Sequence, residues 1–232
     1  MTLTSPSDAP SSLPARAGLS KDRPVLILGT GGHARVIADT LLAAGEDVLG
    51  FTDPAPQFGH WRHLPCLGGD EVLREYGVDE VLLANGIGFL PFQTLRERIY
   101  RQFTDLGYRF TQVIHPSAVI AAGTEIAAGV QILAGAIVQT GCRIGENSLL
   151  NTAASADHDC VVAEHCHIAP GATLCGGVRL ARGVLIGTKA AVIQEIAVGA
   201  DTIIGAGVTL TRSISADQVV RSPVPVTAPR RR

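Results

Sequence analysis

Hydrophobic positions follow two different periods along this chain. Between residues 24 and 114, short apolar runs alternate with segments whose apolar residues share one helical face, such as Val36, Ile37 and Leu41. Strands are predicted over residues 25–28, 47–51, 80–84 and 110–114, and helices over residues 33–44, 71–76 and 94–106. This alternation predicts an α/β N-terminal domain with a small Rossmann-like parallel sheet and helices on its faces.

From Ile120 to Leu210 an interior-type residue recurs at every sixth position, through sixteen repeats of which only Ala156 is not a large aliphatic. Four positions after each of them comes a small or β-branched residue, and three positions after it, eight of the sixteen are glycine. Glycine suits a position where the chain turns with a positive φ. This six-residue period predicts a left-handed parallel β-helix, in which three hexapeptides form one coil of 18 residues.

The two periods divide the chain into an α/β domain over residues 23–115 and a β-helix over residues 116–215, with a C-terminal tail over residues 216–232. Residues 1–22 are rich in Ser, Pro and Ala and lack the apolar core of a signal peptide, so we expect a disordered leader. Cys142, Cys160 and Cys166 occupy an interior phase of the repeat, which favours reduced cysteines in a cytoplasmic protein.

Charge and hydropathy exclude two classes of partner. The formal net charge of −2 gives no general attraction to nucleic acid or to anionic membranes. No apolar run reaches the roughly 18–20 residues of a membrane span.

Five short motifs recur in an order that resembles a known family. They are residues 29–34 (GTGGHA), 85–88 (NGIG), 115–118 (HPSA), 151–152 (NT) and 158–160 (HDC). The chain resembles the bacterial sugar acyltransferases grouped with the sialic acid O-acetyltransferases, which include the N-acetyltransferases of UDP-4-amino sugars (the bacillosamine pathway) and of GDP-perosamine. The resemblance covers residues 24 to about 215.

This resemblance implies an acetyl-CoA-dependent N-acetyltransferase that acetylates the amino group of a UDP- or GDP-linked 4-amino-deoxy sugar for surface glycans. An acetyl transfer from a thioester needs a base and a donor for the developing oxyanion. His158 lies off the interior phases of its repeat, so its ring should project outward. By resemblance His158 is the base, and Asp159 is the carboxylate that orients it.

Counting in coils relates further residues to His158. Gly176 follows it by 18 residues, one full coil, so its amide should lie about 5 Å away on the same face. His167 follows it by nine residues, half a coil, on the far side of the prism. The family uses the matching glycine amide as oxyanion donor, and it brings both histidines to one site, which then requires two subunits. We therefore expect a homotrimer in which His167 contacts acetyl-CoA bound by a neighbouring chain.

The resemblance assigns the remaining contacts. It points to Thr188 and Ala206 for CoA, with Lys189 and Arg182 near enough to reach its phosphates, and to Asn151 for the sugar. The loop over residues 29–34 follows a strand and begins a helix, a context that favours phosphate binding. A domain of about ninety residues lacks a second mononucleotide half, so a nucleotide-sugar is favoured over NAD. The substrate contacts that the family adds are Gly31, Gly32, His33, Asp53 and Gly86.

Other functions remain open at this point. The same machinery would serve an O-acetyltransferase acting on a sialic-acid-like sugar, and the fold would also serve a binding or scaffold protein that has lost catalysis. Some proteins of this fold bind zinc through histidines of adjacent subunits. The histidine spacings of 7 and 2 residues among His158, His165 and His167 do not match that pattern, so we predict no metal.

Overall fold

A computed structural model of the protein describes residues 23–222. The predicted leader and residues 223–232 of the predicted tail lie outside the described residues. The N-terminal domain contains strands β1 (Val25–Leu28), β2 (Val48–Thr52), β3 (His60–Trp61), β4 (Leu64–Pro65) and β5 (Leu82–Asn85), helices α1 (Gly32–Ala43) and α2 (Leu95–Asp105), and a 3₁₀ helix (Asp70–Glu75). Strands β2, β1 and β5 form a parallel sheet in that order, so the fold class predicted for this domain is confirmed.

The fourth predicted strand, over residues 110–114, is divided between the two domains. Phe110 makes a single parallel bridge to Leu83 of β5. Val113–Ile114 instead forms β6 and pairs with Gln131–Ile132 of the β-helix. The chain reaches the prism immediately after Phe110, which leaves too few residues to extend the N-terminal sheet. The hairpin of β3 and β4 was not predicted, because a two-residue strand that is not repeated along the chain shows no period.

The β-helix consists of two-residue strands in three parallel sheets that form the faces of a prism. Sheet 1 contains β7 (Val119–Ile120), β10 (Ile137–Val138), β13 (Ser155–Ala156), β16 (Thr173–Leu174), β19 (Ala191–Val192) and β22 (Thr209–Leu210). Sheet 2 contains β8 (Glu125–Ile126), β11 (Arg143–Ile144), β14 (Val161–Val162), β17 (Arg179–Leu180) and β20 (Ala197–Val198). Sheet 3 contains β6, β9 (Gln131–Ile132), β12 (Leu149–Leu150), β15 (His167–Ile168), β18 (Leu185–Ile186), β21 (Ile203–Ile204) and β23 (Val219–Val220).

The interior residue of every predicted repeat is the last residue of one of these strands. Neighbouring strands in a sheet pair with an offset of 18 residues, so the left-handed β-helix is confirmed. The second residue of each strand from Ile132 onward to Leu210 is buried in the prism, together with Cys142, Cys160 and Cys166. Burying each Val, Leu or Ile contributes about 1.5–3 kcal/mol. Fifteen successive turn positions from Gly123 to Gly207 have φ between 53° and 81°, whether or not they are glycine.

The N-terminal domain packs on sheet 3 through α1. Ile37 and Leu41 of α1 share one apolar cluster with Val113, Leu133 and Leu149 of the prism. This contact places the carboxyl ends of β1 and β5 beside the prism, where the polar residues of the predicted site lie. Among residues 23–222, no helix is long and apolar enough to cross a membrane.

Candidate active site on the edges of the prism

His158 and Asp159 occupy the edge where the chain turns from sheet 1 to sheet 2. The His158 ring is mostly exposed, and its Nδ1 lies 2.9 Å from Oδ2 of Asp159. Because a carboxylate only accepts hydrogen bonds, Nδ1 carries the proton and Nε2 presents a lone pair to solvent. The hydrogen bond to Asp159 raises the pKa of His158 above its ordinary value. The side chains therefore form an accessible base whose tautomer is fixed by the neighbouring carboxylate.

Gly176 lies directly beside His158, as the count of 18 residues predicts. The amide of Gly177 donates a 2.9 Å hydrogen bond to the carbonyl oxygen of His158, which fixes the stacking of the two coils. A Cβ on Gly176 would collide with Nε2 and Cε1 of the His158 ring. Since the φ of Gly176 is not positive, glycine is required here for space and not for backbone conformation. The Gly176 amide donates to no acceptor within residues 23–222, so it is free beside Nε2.

The edge between sheet 3 and sheet 1 holds Asn151, Thr188 and Ala206. Thr188 and Ala206 stack one coil apart on this edge and are both exposed. Lys189 is also exposed there. Arg182 lies on the edge between sheets 2 and 3 and pairs with Glu97 and Asp201 at 3.3 and 3.4 Å. The two cations suggested for the CoA phosphates therefore lie on different edges.

His167 projects from sheet 3, the face opposite the edge that carries His158, in agreement with the half-coil count. It is only 7% exposed and packs against Phe89, with 5.1 Å between ring centroids. Burial, with smaller contributions from the charges of Arg96 and His33, lowers the pKa of His167 to about 3, so its ring is neutral. The resemblance suggested a contact with acetyl-CoA of a neighbouring chain; within one chain the His167 ring lies against Phe89 and Asn151, and Asn151 is a residue expected to line the sugar pocket.

Asn151 fixes the tautomer of His167. Its Oδ1 accepts a 2.8 Å hydrogen bond from the Thr152 amide, which requires Nδ2 to face Nε2 of His167 at 3.2 Å. Nε2 is then the acceptor and Nδ1 carries the hydrogen. This Nδ1–H is buried and has no acceptor within the part of the chain that the structure describes.

The carboxyl edge of the N-terminal sheet brings Gly31, Gly32, His33 and Gly86 together. Gly31 caps α1 without a side-chain hydrogen bond, and the first turn of α1 contains no acidic residue. A Cβ on Gly86 would approach the Leu28 carbonyl oxygen to 2.6 Å, so only glycine lets the end of β5 lie this close to β1. The arrangement leaves the amides at the start of α1 open to an anion.

His33 faces the prism from this edge. Its Nε2 lies 2.8 Å from Oε1 of Gln131, whose Nε2 donates to the Asn85 carbonyl oxygen at 2.7 Å. The His33 proton is therefore on Nε2, and Nδ1 is an acceptor. Burial and the charge of Arg96 lower the pKa of His33 to about 4.

Asp53 supports the loop over residues 29–34. Its Oδ2 accepts hydrogen bonds from the amide and the hydroxyl of Thr30 at 2.8 and 2.6 Å, and its Oδ1 accepts one from the Ala55 amide. Partial burial would raise the pKa of Asp53, but these hydrogen bonds outweigh it and lower the pKa. Asp53 thus fixes the loop, in addition to any contact with a ligand.

Sequence reasoning missed Arg96 and Gln131, which connect the two domains. Arg96 contacts the carbonyl oxygens of Asn85, Ile87 and Asn147 at 3.2, 2.8 and 3.4 Å. Its spacing to Tyr100 and Phe103 places it on the buried face of α2. A charged residue at an apolar helical phase was the signal in the sequence that could have identified it. Gln131 occupies the outward phase of its repeat and gave no such signal.

Two cavities lie where the N-terminal domain packs on the prism. One of about 410 Å³ lies between α1 and the edge of sheets 3 and 1, lined by Gly32, Trp61, His115 and Thr152, among others. One of about 460 Å³ lies over the upper part of sheet 3; Arg182 lines it, but none of the predicted catalytic or sugar-binding residues does. Of the predicted sugar-binding residues, Gly32 lines the smaller of these two cavities. Residues 23–222 contain no group of three or more His, Cys, Asp or Glu side chains placed to hold a metal.

Comparisons with known proteins agree with the fold described above. Residues 24–103 match the model of the PglD N-terminal domain. A histidine variant of the GDP-perosamine N-acetyltransferase of Caulobacter crescentus, solved with CoA and GDP-perosamine, is 33% identical over 88% of this chain and 95% of that one, with a TM-score of 0.78. The acetyltransferase domain of PglB from Neisseria gonorrhoeae, solved with acetyl coenzyme A, is 29% identical over 85% and 95%, with a TM-score of 0.80. No curated protein sequence matches the chain.

Proposed function

The chain belongs to the family of bacterial sugar N-acetyltransferases that includes the GDP-perosamine enzyme of Caulobacter crescentus, and from this premise we propose that it transfers the acetyl group of acetyl-CoA to the amino group of a nucleotide-linked amino sugar. The observation that carries the proposal is the His158 ring, oriented by Asp159 and lying beside the free amide of Gly176. A base and an oxyanion donor on one exposed edge are what transfer from a thioester needs.

In the proposed mechanism the sugar amine attacks the thioester carbonyl carbon. Nε2 of His158 accepts the proton that the amine loses, and Asp159 stabilises the imidazolium through Nδ1–H. The Gly176 amide donates to the carbonyl oxygen as negative charge develops on it. Collapse of the tetrahedral intermediate breaks the carbon–sulfur bond, and the CoA thiolate leaves with the proton that His158 held. One oxyanion donor contributes about 3–4 kcal/mol in comparable enzymes.

A homotrimer would bring the two halves of this site together. The outward residues of sheet 1 are Val119, Ile137, Ser155, Thr173, Ala191 and Thr209, none of which is charged. Val119 and Ile137 are 60% and 38% exposed in the single chain. If sheet 1 faces a threefold axis, its two edges meet those of the neighbouring prisms. The edge with His158 then lies against the neighbour's edge with Asn151, Thr188 and Ala206.

The substrates would enter this junction from opposite ends. Acetyl-CoA would lie along the edges of the upper coils, past Thr188 and Ala206, with its thioester at Gly176. The nucleotide-sugar would lie across the start of α1, contacting Gly31, Gly32, His33, Asp53 and Gly86, with its sugar near Asn151. His158 and Thr152 lie on the same coil, so a neighbour's base would be at the height of the sugar-binding residues.

The direct test follows thiol release from acetyl-CoA with a panel of UDP-, GDP- and dTDP-linked amino sugars. We expect turnover on at least one amine, reduced about 10²–10⁴-fold in His158→Ala. Unchanged turnover in that variant would remove His158 as the base. Turnover on a free sialic acid and on no amine would favour an O-acetyltransferase, and no turnover on any sugar would favour a scaffold protein.

Subunit mixing tests the shared site. We expect His158→Ala and Asn151→Ala to be weakly active alone. In trimers reassembled from equal amounts of the two, about a quarter of the junctions would combine an intact His158 with an intact Asn151. Recovery of about a quarter of wild-type activity supports a site built by two subunits. Absence of recovery from trimers that have exchanged subunits contradicts it.

A further inference from the structure

Arg96 is a buried cation that has no anionic partner among residues 23–222. The residue is 4% exposed, and the atoms that its guanidinium contacts are three main-chain carbonyl oxygens. Neither NH group reaches a carboxylate within residues 23–222. Glu97, its neighbour in the chain, pairs with Arg101 and Arg182 instead. Carbonyl dipoles solvate a cation but do not neutralise it, and buried charges in proteins are normally paired.

The position of Arg96 relates this charge to the substrate side of the site. Two of its carbonyl contacts belong to Asn85 and Ile87, on either side of Gly86 at the carboxyl end of β5. The third, from Asn147, belongs to the prism. Strand β5 pairs with β1, whose end leads into the open amides of α1. The charge therefore lies behind the edge across which the nucleotide-sugar is proposed to bind.

The charge of Arg96 also affects two histidines, His33 on α1 and His167 on sheet 3 of the prism. The charge of Arg96 contributes to the lowered pKa of both His33 and His167. Asp53, the carboxylate at the end of β2, lies across β1 from Arg96 and is hydrogen-bonded to Thr30. The edge thus carries the Asp53 carboxylate beside β2, which could accept hydrogen bonds from ribose hydroxyls. Beside β5 it carries the charge of Arg96.

We infer that Arg96 is a positioning residue whose unpaired charge is complemented by the diphosphate of the nucleotide-sugar, although its guanidinium does not contact the ligand. The inference rests on the proposed function and names the part of the substrate that the site recognises electrostatically. It also gives the substrate a direction across the sheet, with the nucleoside toward β2 and the sugar toward β5 and the prism. A field from a buried charge is weakly screened by salt, unlike that of an exposed arginine.

The test compares nucleoside diphosphates with nucleosides. Calorimetry would measure binding of UDP, GDP, uridine and guanosine to the full chain and to Arg96→Lys, Arg96→Met and Arg98→Met. Arg98 lies on the exposed face of α2, so Arg98→Met is the matched control. We expect Arg96→Met to lose at least tenfold of the preference for the diphosphate over its nucleoside. Arg96→Lys should keep most of that preference, because it keeps the charge, and Arg98→Met should keep all of it.

An unchanged preference in Arg96→Met overturns the inference. If Arg96→Met fails to fold, the salt dependence of wild-type binding decides. Salt screens the field of an exposed arginine but screens that of a buried one only weakly. A preference for the diphosphate that falls steeply between about 50 and 300 mM salt would therefore contradict a buried charge. The acetylation assay separates the two proposals. Turnover on a nucleotide amino sugar with an unchanged preference rejects only the role of Arg96, whereas no turnover and no diphosphate binding reject the proposed function.

Discussion

Gly176→Ala is the substitution that most directly tests the proposed catalytic geometry. The new Cβ would lie 3.1 Å from Cδ2 of His158 and closer still to Nε2 and Cε1, whereas ordinary van der Waals contact begins at 3.4 Å. The ring must therefore move by about 1 Å, and a displacement of that size can cost about 10²-fold in rate. Because the His158 ring is exposed, it can swing outward, so the fold should keep its stability while the base leaves its position.

We therefore expect kcat to fall about 10²-fold in Gly176→Ala, measured by thiol release at saturating substrates, with little change in the melting temperature. Gly123→Ala is the matched control, because its Cβ meets nothing within 4 Å and its φ of 81° adds only about 1 kcal/mol of backbone strain. A wild-type kcat in Gly176→Ala would refute the placement of the ring beside Gly176. An equal loss in Gly123→Ala would assign the effect to general strain in the prism.

Three further predictions follow from the same contacts. In Asp159→Asn the new residue also tolerates the φ of 60°, but the carboxylate that raises the pKa of His158 is lost. The acid limb of the pH–rate profile should therefore move to lower pH, and kcat should fall about 10-fold or more. The pKa of His167 is about 3 in the folded chain and about 6.5 in the unfolded chain, so stability should be lost as the pH falls below 6.5. By pH 5 the free energy of unfolding, measured by urea denaturation, should drop by about 2 kcal/mol more in the wild type than in His167→Asn. Ile137→Arg on sheet 1 should yield monomers in light scattering, whereas Ala197→Arg on sheet 2 should not; trimers of both would reject sheet 1 as the interface.

The architecture of the prism could be predicted from the sequence because each hexapeptide has the same pattern of buried and turn positions. Every sixth side chain must be buried, and every turn needs a left-handed residue, so the fold is encoded sixteen times and no single exception disturbs it. Ala156 remains paired in register with Val138 and Leu174 despite its small side chain. The same regularity made Gly176 and His167 predictable relative to His158, since position in a coil is a matter of counting.

The tertiary structure decided what depends on contacts between distant segments. Nothing in the repeat indicates that the His158 ring fills the space where a Gly176 side chain would be, because rotamers are chosen by neighbours across the coil. Likewise, the tautomer of His167 depends on Asn151, and the unpaired charge of Arg96 depends on carbonyl groups from both domains. The sequence by itself thus determined the prism and the order of residues along its edges. Protonation, burial and the electrostatic character of the proposed substrate edge arose only where the N-terminal domain packs on sheet 3, since packing between remote segments sets solvation and hydrogen bonding.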